Sequence, residues 1–215
     1  MKKNLVAILS LVLVLFCAAA LAEEAIPVYS IQTDALWGVD GGWMVMMYEP
    51  DGYAWMDTDA NAAAYHAAVT VDETVGGTVT MTTQDNWTSG VMYCFFDTAK
   101  LGVELEALEL HVKLYVSDAA AMKDSLGEIE LISGMVSWIG NHALRWTIDW
   151  STLQDGWNEL VLHYDTAAKM GEVFKPNQAK FMWFAVQNAP AEVEMKLADI
   201  EIYSVPTAAV ETAAE

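Results

Sequence analysis

The sequence predicts an all-β protein, an antiparallel β-sandwich that follows a cleaved N-terminal signal peptide. Three observations predict it. Leu108, Leu110, Val112, Leu114 and Val116 alternate with Glu109, His111, Lys113 and Tyr115, the period of two that marks a strand with one buried face. Shorter runs of the same kind recur at short spacing: 69–71, 78–82, 91–96, 128–132, 158–164, 180–186 and 193–203. Turn-forming pairs fall between or beside them, at Gly41-Gly42, Asp51-Gly52, Gly76-Gly77, Ser89-Gly90, Ser133-Gly134, Asp155-Gly156 and Ala189-Pro190. Many short strands punctuated in this way indicate a sandwich or barrel.

At the N-terminus, Lys2 and Lys3 precede an apolar stretch, Leu5 to Leu21, interrupted only by Ser10 and ending in Ala18-Ala19-Ala20-Leu21-Ala22. A basic start, an apolar run and a small-residue site make a signal peptide over 1–22, with cleavage after Ala22, and so predict a secreted or cell-envelope protein with no membrane insertion after processing. Residues 23–205 are assigned to one domain, a length suited to a single core. From Pro206 to Glu215 no periodic face is visible, and a disordered tail is predicted.

Helix is expected only in a turn or two at 61–68 and 118–126. In the last strand, Val193, Met195 and Leu197 share one parity while Ile200 and Ile202 take the other. A β-bulge at Ala198-Asp199 accounts for the slip.

The mature chain keeps eight basic against thirty acidic residues, a net charge of −22. The basic residues are scattered singly, so nucleic acid, which must have its phosphates neutralised, is excluded as a partner. Acidic polysaccharides and anionic membrane surfaces are disfavoured on the same ground, leaving neutral glycans, proteins and divalent cations. Cys17 departs with the signal, so Cys94 is the one cysteine of the mature chain and no internal disulfide forms. Its setting, Val91-Met92-Tyr93-Cys94-Phe95-Phe96, predicts a buried, inert thiol.

Four segments resemble the galactose-binding-like β-jelly-roll domains found among bacterial carbohydrate-binding modules. They are Leu110 to Asp118, Glu128 to Gly134, Asp155 to Leu162 and Leu197 to Tyr203. The likeness spans about half of the mature chain and bears on architecture more than on activity. It implies a jelly roll and a non-catalytic sugar-binding role. It also implies a structural calcium ion with an acid near the start of the last strand as ligand, the place that Asp199 takes here; calcium needs six to eight oxygens, and no compact loop supplies them.

Nine tryptophans in one acidic domain point the same way, because the C–H face of a pyranose packs on an aromatic ring. Trp157 and Trp183, embedded in predicted strands, are read as core. Trp37, Trp43, Trp55, Trp87 and Trp138 stand beside Gly, Asp, Asn or Ser and are read as exposed. The segment 37–55 is richest in such neighbours, so Trp43, Tyr53 and Trp55 are the expected sugar platforms, with Asp40 and Asp51 bonding hydroxyls. An enzyme is not predicted: the four histidines show no ligand spacing, and no Gly-x-Ser-x-Gly elbow, zinc motif or phosphate loop occurs. The alternative function is a structural or adhesive envelope protein that presents a protein-binding face and has no sugar site.

Overall fold

The computed structural model describes residues 25–31, 33, 43–49, 52–56, 67–84, 89–95, 107–134, 142–170 and 181–205. Among them thirteen strands form two antiparallel sheets. In chain order these are β1 (Ile26–Ile31), β2 (Trp43–Glu49), β3 (Gly52–Met56), β4 (Ala67–Asp72), β5 (Gly76–Thr82), β6 (Ser89–Phe95), β7 (Leu108–Val116), β8 (Leu126–Gly134), β9 (His142–Thr147), β10 (Gly156–His163), β11 (Ala168–Met170), β12 (Phe181–Gln187) and β13 (Glu194–Ser204). The first sheet runs β10-β7-β13-β5-β4, with β1 also on β13; the second runs β11-β9-β8-β12-β6-β2-β3. The fold is an all-β antiparallel sandwich of jelly-roll type.

Inward-facing residues of both sheets fill the space between them. Leu110 and Leu114 of β7 meet Ile129 and Leu131 of β8, Phe184 of β12 and Trp43 of β2 in one buried cluster. Each such fully buried side chain contributes about 1.5–3 kcal/mol. The alternation of β7 is realised residue by residue, every odd-parity neighbour of the core residues being only half-buried.

β13 carries the expected irregularity. It pairs with β7 from Met195↔Val116 to Ala198↔Lys113, slips, and resumes at Glu201↔His111. On its other side β5 pairs with Glu194 to Leu197 and β1 with Ile200 to Ser204. The bulge thus falls where the strand exchanges one neighbour for another, and it keeps both Leu197 and Ile200 in the core. Asp199 lies within it at φ 47°.

The expected helix at 118–126 reduces to a 3-10 turn, Ala121–Asp124, whose Met122 is buried. At 61–68, Ala67 and Ala68 already belong to β4, and 61–66 lie outside the described residues. The segments expected to be a signal peptide, 1–22, and a disordered tail, 206–215, lie outside them as well. No helix among the described residues is long and apolar enough to cross a membrane.

Cys94 faces the core fully buried, and burial pushes its thiol well above the ordinary range. A thiol so placed stays protonated and unreactive.

Candidate functional site

The second sheet has one face on the core and an outer face whose composition is unlike that of an ordinary solvent surface. Core-facing parity is fixed by Trp43 and Val45 in β2, Met92 and Cys94 in β6, Ile129 and Leu131 in β8, Leu144 and Trp146 in β9, and Met182 and Phe184 in β12. The opposite parity makes rows across the strands. One row reads Ala168, Arg145, Glu130, Trp183, Tyr93 and Met44. The row beside it reads Thr147, Glu128, Ala185, Val91, Met46 and Trp55. Tyr53 pairs with Tyr48 one step further along the same parity of β3 and β2. Strands stand about 4.8 Å apart, so Arg145 to Tyr93 spans about 14 Å.

At the centre of this face the side chains form a charged cluster. Glu130 is only 2% exposed, and its carboxylate accepts a hydrogen bond from Arg145 Nε. Arg145 also reaches Glu128, with Nη1 3.3 Å from Oε1. Burial raises the Glu130 pKa above the ordinary carboxylate value, the hydrogen bond and charge of Arg145 oppose that rise, and the nearby Glu128 charge adds to it. Trp183 packs with Met170 against the buried Ile132 and Ala143. Its indole nitrogen is buried and makes no well-formed hydrogen bond, although it lies near enough to Glu130 to help hold that charge. A polar cluster with an indole nitrogen beside it, bordered by aromatic positions, has the character of a binding face: apolar walls with a few convergent polar groups.

The predicted platforms fare differently. Trp43 is a correction: it is 0% exposed and packs between the sheets, because it belongs to β2 with the core-facing parity of Val45. Tyr53 and Trp55 belong to β3 at the edge of the second sheet, at outer-face register positions opposite Tyr48 and Met46. Asp40 and Asp51 lie outside the described residues, as do Trp37, Trp87 and Trp138. Trp157, read as core, is half-buried on the outer face of the first sheet, where β10 pairs it with Tyr115. Sequence reasoning did not single out Glu128, Glu130 and Arg145 as site residues; the alternation at 128–132 marked the carboxylates as outward, but their pairing with Arg145 needs the β8–β9 register.

Asp199 does not fit a calcium ligand. Its Oδ2 is 2.6 Å from Lys113 Nζ, so its nearest charged partner is an ammonium group where calcium would need further oxygens. No group of three or more His, Cys, Asp or Glu among the described residues is placed to hold a metal ion.

The strand order and the two packed layers define a jelly-roll β-sandwich of the kind seen in carbohydrate-binding modules. Among solved structures the chain is similar to a family 30 carbohydrate-binding module at TM-score 0.53 and 12% identity, over 90% of this chain and 94% of that one. It is similar to the family 30 module of the cellulosomal cellulase Cel9D-Cel44B of Clostridium thermocellum at TM-score 0.52 and 14% identity, over 81% and 96% of the two chains. The family 11 module of the cellulosomal cellulase Lic26A-Cel5E of Clostridium thermocellum aligns at TM-score 0.50 and 10% identity, over 86% and 99%. These likenesses establish the fold. No family model and no curated protein sequence matches the chain.

Proposed function

We propose that this protein is an exported, non-catalytic carbohydrate-binding domain whose second-sheet outer face holds a neutral glycan. The observation that carries the proposal is the juxtaposition of Trp183 with the buried Glu130–Arg145–Glu128 cluster, on a face whose register positions include Tyr93, Trp55 and Tyr53. Carboxylates and a guanidinium group offer acceptors and donors to sugar hydroxyls, the indole nitrogen of Trp183 helps position Glu130 among them, and aromatic rings offer the apolar surface a pyranose face needs. The likeness in fold to carbohydrate-binding modules supports this reading.

The charge balance makes the glycan neutral, since −22 repels acidic polymers. Binding without cleavage fits the cluster because one arginine ties down both carboxylates, whereas glycoside hydrolysis needs two acids acting independently on either side of the scissile bond. The leader over 1–22 delivers the domain outside the cytoplasm.

The test is retention on glucan, xylan and mannan affinity gels after a glycan array has selected the polymer. Trp55→Ala is expected to abolish retention and Trp183→Phe, which keeps a ring and loses the donor, to weaken it, both with melting temperature preserved. Retention unchanged in both variants would discard this face. An array with no binding at all would favour a protein-binding envelope role.

A further inference from the structure

We infer that the first sheet carries a second, separate ligand site: a pocket on its outer face, built by the bulge of β13, that takes a single neutral sugar ring or a polyol of that size. Its residues and its sheet are distinct from those of the glycan face.

A depression of about 180 Å³ opens between β10, β7 and β13, lined by Lys113, Glu159, Asp199, Glu201, His111 and Tyr203 among others. That is room for roughly six waters, or for one ring in place of them. The bulge makes the space. Ala198 pairs with Lys113 and Glu201 with His111, so the two residues between them, Asp199 and Ile200, have no partner in β7. Ile200 turns into the core and Asp199 outward, the latter held at φ 47°, a conformation that glycine adopts freely and aspartate at a cost.

The walls are preorganised on both sides. Along one, the His111 ring stacks on Tyr203 at 4.1 Å between centroids and 19° between planes, a flat surface for the C–H face of a ring. Glu109 fixes that histidine, with Oε2 3.0 Å from His111 Nε2, while its other oxygen lies 2.7 Å from His163 Nδ1. Tyr203 donates to Glu201 at 2.7 Å. Along the other wall Lys113 meets Asp199 at 2.6 Å, an adjacent donor and acceptor for a pair of neighbouring hydroxyls.

The charges select the ligand class. An anion would face Glu159, Asp199 and Glu201, and a cation would have to displace Lys113 from Asp199. A neutral polyhydroxylated ring satisfies both signs at once, donating to carboxylates and accepting from the ammonium group.

The experiment is amide chemical-shift mapping of the mature protein titrated separately with glucose, galactose and mannose. Saturable shifts at Lys113, Asp199 and Glu201 with at least one sugar are expected. Lys113→Met and Asp199→Gly should each weaken that binding by at least about tenfold, the order of one charge-assisted hydrogen bond. Asp199→Gly also relieves the positive φ, so its melting temperature is expected to hold, which separates lost binding from lost fold. Trp55→Ala should leave the shifts intact, so failure of the glycan face and failure of this pocket read out separately. The absence of saturable shifts with all three sugars, or unchanged affinity in both pocket variants, overturns the inference.

Discussion

Replacing Arg145 with methionine tests the physical reading of the glycan face most directly. Met matches the length of the arginine stem and removes only the charged fork, so the change isolates electrostatics from packing. Glu130, 2% exposed, loses its cationic hydrogen-bond partner, and Glu128, its side chain 13% exposed, loses its contact at 3.3 Å. Stranding a buried charge costs about 3–5 kcal/mol. For a domain of this size each kcal/mol moves the melting temperature by about 2–4 °C, so a drop of roughly 6–20 °C is expected near neutral pH. The pH dependence has a definite sign. The Glu130 pKa is already raised in the folded protein by burial, and removing the arginine takes away the largest opposing influence. A carboxyl whose folded pKa exceeds its unfolded one lends full stability below the unfolded value and loses it as pH rises through the folded value. The deficit of Arg145→Met must therefore shrink as melts are run from about pH 8 down to about pH 4. Adding Glu130→Gln to Arg145→Met should recover most of the loss at neutral pH. A deficit that stays constant across pH, or a double variant no more stable than the single one, refutes the claim that a buried charge sits at the centre of this face.

Three further outcomes follow from the packing. A Cβ at Gly127 would run into the indole of Trp150, itself 4% exposed, so Gly127→Ala should destabilise by about 1–3 kcal/mol, with partial rescue by Trp150→Phe in a double-mutant cycle of thermal melts. Cys94 should resist iodoacetamide in the native protein and be alkylated only as denaturant unfolds it, since burial holds the thiol protonated; rapid native labelling would contradict its place in the core. Chelator should leave the melting temperature unmoved, because Asp199 is paired with Lys113 and not with a cation; a fall that calcium restores would reinstate the metal.

Legibility in the sequence tracked how local each determinant is. The alternation of β7 and the parity slip of β13 depend on residues adjacent in the chain, and both could be read, including the bulge that shapes the first-sheet pocket. β2 and β3 could not. Trp43-Met44-Val45-Met46-Met47 is apolar at every position, as expected of a strand covered on both faces, and without alternation the glycines and aspartates around it suggest loops. That misreading put Trp43 in solvent, while Tyr53 and Trp55 stand two positions apart on one parity of an edge strand.

The two outer faces also show why aromatic content alone is a poor guide to where a ligand sits. On the first sheet the strands alternate as amphipathic strands should, and their Glu, His, Lys and Tyr residues need no ligand to account for them; only the bulge, by opening a gap in the ladder, turns a solvated surface into a pocket. On the second sheet the outward parity is apolar and aromatic at most register positions, and of its charges Glu130 is buried while Glu128 and Arg145 are half-buried. Ile132, Ala143, Val91 and Ala185 on this face are already buried, so a ligand there would be met by its half-buried members, Arg145, Glu128 and Trp183, and not by bare apolar surface. The indole nitrogen of Trp183 is itself buried beside Glu130 and helps hold that carboxylate. On the proposed reading a glycan offers hydroxyls to these charges and C–H faces to the rings, whereas an apolar protein segment offers nothing to the charges.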